Sequence, residues 1–382
     1  MTPDRLRVAL FSGNYNYVRD GANQALNRLV GYLLGQGATV RVYSPTTKTP
    51  AFPPTGDLVD VPALGVPGRG EYRLALGLPA KTRRDLEAFG PNMVHLSAPD
   101  ILGHRALTWA RGGSVPAVAS VHTRFDTYVA YYGLGFLAPA AVAIQRRFYR
   151  RCDAILAPAP SMAEILRAER MNFDIGIWSR GVDRTIFSPA VRSLPWRRSL
   201  GIGDQEVVIG FLGRLVLEKG LGVFADVIAE LERRQVPHRV MVIGEGPARA
   251  WFAERVPSAV FTGFLANSEL GRAVASMDVL FNPSTTETFG NVTLEAMACA
   301  VPVVAAIATG TSSLVEDGVT GRLVAPDDIA GYADALQAYA LDRDLADDHG
   351  MAGEAKAGAF SWDAINKAVL DKYLEVIARR GG

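Results

Sequence analysis

The chain is predicted to fold as α/β, in two consecutive domains that are each built on a parallel sheet. Three observations carry this. Short apolar, β-branched runs alternate with amphipathic helical stretches twice over, through residues 6–179 and again from residue 207. Several strand-like runs end in glycine-containing loops that open a helix, at 12–21, 213–220 and 244–247. And 382 residues exceed what one hydrophobic core usually serves. Residues 187–198, with two prolines, read as a linker. The domains are accordingly placed at 1–188 and 189–360, with a last helical segment at 361–382.

Residues 6–11 form the first strand, followed by a glycine-containing loop, a helix over 22–35 and a strand at 39–43. This unit has Rossmann-like order, but its loop, GNYNYVRDGAN, is not G-x-G-x-x-G, and no nicotinamide site is read from it. Gly21 at the helix start either lets a ligand approach the backbone or simply caps the helix. Residues 45–79 are rich in Pro and Gly, with weak strand character at 58–61. In the helix at 80–89, Lys81, Arg83 and Arg84 crowd the end where the dipole disfavours cations, so they are expected to serve something outside it. Strands follow at 93–96 and 117–122. The second ends on His122, at the carboxyl edge where open α/β sheets hold ligands; a satisfied core histidine is the other reading.

Residues 134–152 form a helix in which Ile144, Phe148 and Cys152 recur every four residues, while Arg146, Arg147, Arg150 and Arg151 occupy much of the remaining surface. The preceding stretch, with Tyr131, Tyr132 and Phe136, is aromatic and apolar for an exposed loop. An apolar anchor beside a basic cluster suits anionic lipid headgroups; a core helix with a solvated arginine face is the alternative.

After strands at 155–157 and 175–179, the second series runs through 207–212, 239–243, 259–262, 278–282 and 302–306. The first of these ends in Gly213-Arg214, and Lys219-Gly220 opens the next helix. Two cations at one strand-to-helix junction can clamp a diphosphate, the arginine as a fork and the lysine as a point charge. Gly244 begins a second tight turn on the same edge. The stretch 281–308, FNPSTTETFGNVTLEAMACAVPVVAAIA, reads as strand, loop, helix, strand. Glu287 lies in the loop and Glu295 about two turns into the helix. The residues between them, Phe289, Gly290, Asn291 and Val292, bring a helix N-terminus whose free N–H groups suit a phosphate. Carboxylates suit sugar hydroxyls instead. An anion cradle flanked by hydroxyl binders describes a nucleotide-sugar site; an ordinary α/β loop with two solvated glutamates is the alternative.

Forty basic and 39 acidic residues leave a net charge of +1, which argues against a nucleic-acid partner. Cys152 and Cys299, far apart and each in an apolar helical context, are expected to be buried free thiols in a reducing compartment. No signal peptide and no 18-residue apolar run is read, so the chain is placed in the cytoplasm, peripheral to the inner face of a membrane. Asp342-Arg343-Asp344 has the D-x-D form that holds a divalent cation elsewhere, but it lies in a charged helical stretch away from any strand end. It reads as a solvated face, and neither a catalytic metal nor a cofactor is expected.

The set GRLVLEKG (213–220), IGEGP (243–247), FTGFL (261–265) and Glu287 with Glu295 resembles the retaining nucleotide-sugar glycosyltransferases of family GT4. HLSAPDILGHRAL, SVHTRFDTYVAYYG, RRFYRRCDAILAPAPSM and IWSRGVDRTIFSP are similar to its glycolipid-forming branch, the sulfoquinovosyl-diacylglycerol synthases and the glucuronosyl- and mannosyltransferases acting on lipids. The resemblance implies the GT-B fold, two Rossmann-like domains facing across a cleft, with a C-terminal helix that follows Phe360-Ser361-Trp362 and crosses back to the first domain. It implies that Arg214 and Lys219 hold the donor diphosphate and stabilise the leaving nucleoside diphosphate. Glu287 would contact the sugar hydroxyls and Glu295 the ribose. His122 would lie near the sugar, and Gly21, Gly213, Gly244 and residues 289–292 would line the donor. Asp20-Gly21 and Thr309-Gly310-Thr311 depart from the Gly-Gly pairs usual in relatives.

The implied reaction moves a sugar from a nucleotide donor, UDP-linked in preference to GDP-mannose, to a hydroxyl of a lipid such as diacylglycerol or ceramide. The alternatives are a transferase with a soluble or polysaccharide acceptor and a non-catalytic nucleotide-sugar sensor.

Overall fold

The computed structural model describes residues 1–18, 21–66, 69–122 and 138–381. The chain divides into two compact units, Met1–Arg180 together with Trp362–Gly382, and Gly181–Ser361.

In the first unit β1 (Arg7–Phe11), β2 (Thr39–Ser44) and β3 (Asp57–Asp60) are separated from the later strands by an antiparallel pair, β4 (Ala63–Val66) and β5 (Arg69–Ala75). Then come β6 (Met93–Leu96), β7 (Ala117–Ser120), β8 (Ala154–Ala157) and β9 (Ile175–Ile177). The seven-stranded sheet has the order β3-β2-β1-β6-β7-β8-β9, with parallel pairing throughout. The central strands β6, β7 and β8 are buried at every residue, which is why they read as unbroken apolar runs without alternation.

The helices of this unit are α1 (Gly21–Gly35), α2 (Ala80–Phe89), α3 (Ile101–Gly112), α4 (Ala138–Tyr149) and α5 (Pro160–Ala168). Asp100 caps α3, its carboxylate accepting from the Gly103 N–H at 2.7 Å. Two of the three α2 cations, Arg83 and Arg84, are used within the helix, contrary to expectation, while Lys81 is exposed. Arg83 pairs with Glu87 one turn on (2.8 Å), and Arg84 donates to the Ala80 carbonyl (3.3 Å).

The second unit carries β10 (Val208–Leu212), β11 (Arg239–Ile243), β12 (Val260–Gly263), β13 (Val279–Asn282), β14 (Val303–Ala306) and β15 (Gly321–Val324), all parallel in the order β12-β11-β10-β13-β14-β15. Its helices are α6 (Leu194–Ser199), α7 (Leu221–Arg233), α8 (Arg249–Arg255), α9 (Asn267–Ala275), α10 (Asn291–Ala298), α11 (Thr311–Leu314), α12 (Ile329–Leu341) and α13 (Arg343–Ala357). Phe224 stacks on Phe281 (5.0 Å between centroids) and meets Phe211 and Phe252 edge-on at 5.6 and 5.5 Å. Each such ring, fully buried, contributes roughly 1.5–3 kcal/mol.

The predicted linker is structured. Ser193 caps α6, and the proline that reads as a breaker stands in its first turn, where its missing N–H costs nothing. Arg192 and the fully buried Arg197 both reach Asp278, tying this segment to the start of β13. The first boundary falls after Arg180, ahead of the predicted 188. Residues 181–188 join the second unit because the Val182 N–H donates to the Phe360 carbonyl (3.0 Å), Arg184 pairs with Glu354, and Gly271 packs on the Ile186 carbonyl.

The final helix, α14 (Trp362–Gly381), packs on α1 and β9 of the first unit. Arg28 lies over the Trp362 ring (4.9 Å), Lys372 pairs with Asp174 (3.1 Å), and Arg380 pairs with Asp153 (2.8 Å). Among the described residues, no helix is long and apolar enough to cross a membrane.

Candidate functional site

In each sheet the chain reverses its direction of travel once, beside β1 and β6 in the first unit and beside β10 and β13 in the second. Loops leaving the carboxyl ends of strands at such a point diverge and leave room for a ligand.

In the second unit the loops after β10, β11 and β12 are layered on one another. The Gly213 N–H donates to the Ile243 carbonyl, and the Gly244 N–H donates to that of Gly263. A Cβ on Gly244 would come within 1.9 Å of the Gly213 carbonyl oxygen, and Gly244 also has φ 134°, so only glycine allows this spacing. Gly244 therefore has a structural reason to be glycine, and Gly213 has one in its own positive φ of 153°. Arg214, next to them, is exposed.

Lys219 and Glu287 are brought together from 68 residues apart, with Nζ 2.7 Å from Oε1. Gly220, left-handed at φ 76°, turns the chain directly against the Pro283 carbonyl and so sets the lysine beside the loop after β13. The Thr286 hydroxyl donates to the Glu218 carbonyl (3.4 Å), joining the same two loops. Gly290, also left-handed, starts α10; Asn291 and Val292 form its first turn and stay partly exposed.

The Phe289 ring is buried edge-on to Phe360, so its backbone rather than its ring can serve a ligand. The Gly310 N–H donates to the Glu287 carbonyl (2.9 Å), and a Cβ on Gly310 would strike the Phe289 backbone. One glycine is thus enough in Thr309-Gly310-Thr311. Thr311 uses its hydroxyl to hold the Ala306 carbonyl.

Glu295 stands one turn into α10, closer to its start than expected. It keeps some accessible surface, yet the carboxyl is enclosed by protein, and burial pushes it up to about 8. It is mostly protonated at neutral pH and can both donate and accept a hydrogen bond. Cys299, one turn further, is a buried free thiol, as is Cys152.

In the first unit Gly21 is the first residue of α1. His122 follows the end of β7 and is bonded through both ring nitrogens: Nε2 to the Ser120 hydroxyl (2.8 Å) and Nδ1 to the Arg180 guanidinium (2.8 Å). Burial, then the adjacent Arg180 charge, hold its pKa well below the ordinary histidine value. Trp178 lies edge-on to His122 (5.5 Å) and to His95 (5.8 Å). The sequence reading had not singled out His95, Ser120, Trp178 or Arg180.

Of the basic helix, Phe148 and Cys152 are buried but Ile144 is exposed, so the three do not form one core face. Arg146 and Arg150 donate to the Glu169 and Arg170 carbonyls just past α5 (2.8 and 2.9 Å), and Arg151 donates to the Thr108 hydroxyl (2.9 Å). Arg147 is exposed. Phe173, 91% exposed, lies beneath the Arg150 guanidinium at 5.9 Å. Tyr131, Tyr132 and Phe136 lie outside the described residues.

Residues 19–185 match the family profile described as Glycosyltransferase Family 4, and residues 206–342 match that of Glycosyl transferases group 1. A GDP-mannose-dependent alpha-mannosyltransferase of Mycolicibacterium smegmatis is 34% identical over 382 residues, covering 98% of this chain and 99% of that protein. The sulfoquinovosyl transferase of Arabidopsis thaliana is 30% identical, over 96% of this chain and 73% of its own. An alpha-monoglucosyldiacylglycerol synthase of Streptococcus pneumoniae is 24% identical, over 97% and 86%. The sucrose-phosphate synthase structure from Thermosynechococcus elongatus superposes with a TM-score of 0.80 at 20% identity, covering 98% of this chain and all of that one, which gives the GT-B fold. This chain is a glycosyltransferase and belongs to family GT4.

Proposed function

We propose that the enzyme transfers a hexose from a nucleoside diphosphate to the hydroxyl of a lipid, with retention of the anomeric configuration, at an anionic membrane surface. The observation that carries this is the Lys219–Glu287 pair beside the N-terminus of α10. A cation suited to a diphosphate and a carboxylate suited to sugar hydroxyls satisfy each other at a topological switch point. An arriving donor exchanges that pair for two better-matched ones: its phosphates draw Lys219, and its hydroxyls donate to Glu287. Arg214 supplies a second cation, and Glu295, mostly protonated, suits a ribose diol. As the sugar–phosphate bond breaks, charge gathers on the diphosphate, where Lys219 and Arg214 already stand.

GDP-mannose is the first donor to test, since the full-length relative at 34% identity is named for it. The lipid acceptor is supported by a relative named for a glucosyldiacylglycerol product. The exposed Ile144 and Phe173 beside Arg147 and Arg150 offer apolar and cationic groups to a cytoplasmic membrane face. No metal enters the proposal: in Asp342-Arg343-Asp344, the Asp342 carboxylate already accepts the Leu345 N–H at the start of α13.

The test is a panel of labelled GDP-mannose, UDP-glucose, UDP-glucuronate and UDP-sulfoquinovose with phosphatidylglycerol vesicles carrying diacylglycerol or ceramide, followed by solvent extraction. Label in the organic phase with one donor is the expected result. Label confined to water-soluble product would move the acceptor out of the membrane.

A further inference from the structure

A guanidinium has five N–H donors and no acceptor, so a ring nitrogen that it bonds must carry a lone pair. Arg180 is buried, with Nη1 donating to the Trp178 and Ser179 carbonyls (3.2 and 3.1 Å) and Nη2 placed 2.8 Å from His122 Nδ1. His122 therefore carries its proton on Nε2, which donates to the Ser120 hydroxyl. The Ser120 oxygen could accept from both rings, but its own proton would then have no acceptor among the described residues, so it goes to His95 Nε2 at 3.0 Å. That leaves the His95 proton on Nδ1, donating to Tyr373 Oη at 2.5 Å. Each assignment forces the next, and the two histidines end as opposite tautomers.

We infer that Arg180 is a positioning residue for His122, fixing it as the neutral Nε2–H imidazole at the head of a one-way hydrogen-bond chain, Arg180–His122–Ser120–His95–Tyr373. Ser120, His95 and Tyr373 are fully or almost fully buried, so water does not offer them alternative partners. The Trp178 ring packs against both imidazoles and under the Arg180 guanidinium (5.1 Å), and its Nε1 donates to Asn366 Oδ1 (3.3 Å). Asn366 and Tyr373, seven residues apart, share one face of α14. The last helix of the chain thus holds up a histidine at the end of β7. So held, His122 takes part in hydrogen bonding rather than proton transfer.

The catalytic side of this inference rests on the proposed transfer and on His122 serving it; the tautomers do not. The test uses the full chain labelled with ¹⁵N-histidine and long-range ¹⁵N–¹H correlation spectra, alongside initial rates on the donor panel. In the wild type His122 is expected as Nε2–H and His95 as Nδ1–H, both neutral at pH 7. Arg180→Met should cost His122 its fixed tautomer and lower kcat by about 10-fold or more with KM for the donor little changed, while Arg180→Lys, still a pure donor, restores most of both.

Tyr373→Phe keeps the ring and guards against misfolding as an explanation. It should take away the acceptor of the His95 Nδ1–H yet leave His122 as Nε2–H and His95 as Nδ1–H, because Arg180 still sets the order of donors from the other end. A wild-type His122 that is cationic or Nδ1–H, or one unmoved by Arg180→Met, overturns the chain of bonds. A moved tautomer with unchanged kcat overturns the positioning role. Fixed tautomers in a protein that turns over no donor refute the proposed transfer and uphold the chain.

Discussion

Replacing Lys219 with alanine separates chemistry from stability at the proposed donor site. In the folded protein the ammonium meets Glu287 at 2.7 Å, with the lysine side chain 29% and the glutamate side chain 15% exposed. A partly solvated pair of this kind contributes at most about 1 kcal/mol to folding after screening. The melting temperature should therefore move by no more than about 3 °C. In the proposed transition state the same ammonium would face a departing diphosphate, where loss of one pre-placed donor costs about 10²–10³ in kcat, or roughly 2.7–4 kcal/mol. The assay is initial-rate release of nucleoside diphosphate at saturating donor, with thermal melts of the same samples. Because the two side chains touch, Lys219→Ala combined with Glu287→Gln should lose less than the product of the single losses. A kcat within threefold of the wild type in well-folded Lys219→Ala would refute the assignment.

Three further outcomes follow. Burial raises the Glu295 carboxyl from an ordinary glutamate value of 4.5 to about 8, so between those limits the folded state binds more protons than the unfolded one. Stability without donor should fall as pH rises from about 4.5 to 8, and Glu295→Gln should flatten that slope in melts from pH 5 to 8.5; an equally steep slope in the variant would place the carboxyl elsewhere. Gly244→Ala would force a Cβ to 1.9 Å from the Gly213 carbonyl, and a loss of roughly 2–4 kcal/mol in denaturant titrations is expected, against no loss if the loops are free to separate. Arg147→Glu with Phe173→Ser touches the exposed part of the basic surface and spares Arg146 and Arg150, which hold the Glu169 and Arg170 carbonyls. Co-sedimentation with phosphatidylglycerol vesicles should drop several-fold, and unchanged binding would remove this surface from the membrane reading.

The central strands were legible because, buried on both faces, they are continuous runs such as VVAA and AILA. The loops carrying Arg214, Lys219, Glu287 and Gly290 were legible as strand ends followed by glycine turns. The 2.7 Å contact of Lys219 with Glu287 was not, since no local pattern shows which loops of a sheet lie side by side. α6 was hidden because proline breaks a helix interior and suits a first turn equally well. The surroundings of His122 were the least legible. The His95–Tyr373 bond spans 278 residues, and a buried histidine, serine and tyrosine carry no periodicity that would pair them. Arg180 did leave a signal, an arginine two residues past a tryptophan where the chain passes between units, but its meaning lies in a geometry that rests on β7 and α14 together.

The most direct single measurement is the proton NMR spectrum of the organic-phase product formed from an α-linked nucleotide sugar and vesicle-borne diacylglycerol. An α-anomeric glycolipid, lost in Glu287→Ala, is the expected result. A β-linked product would contradict retention, and no lipid product from any donor would contradict the proposed reaction itself.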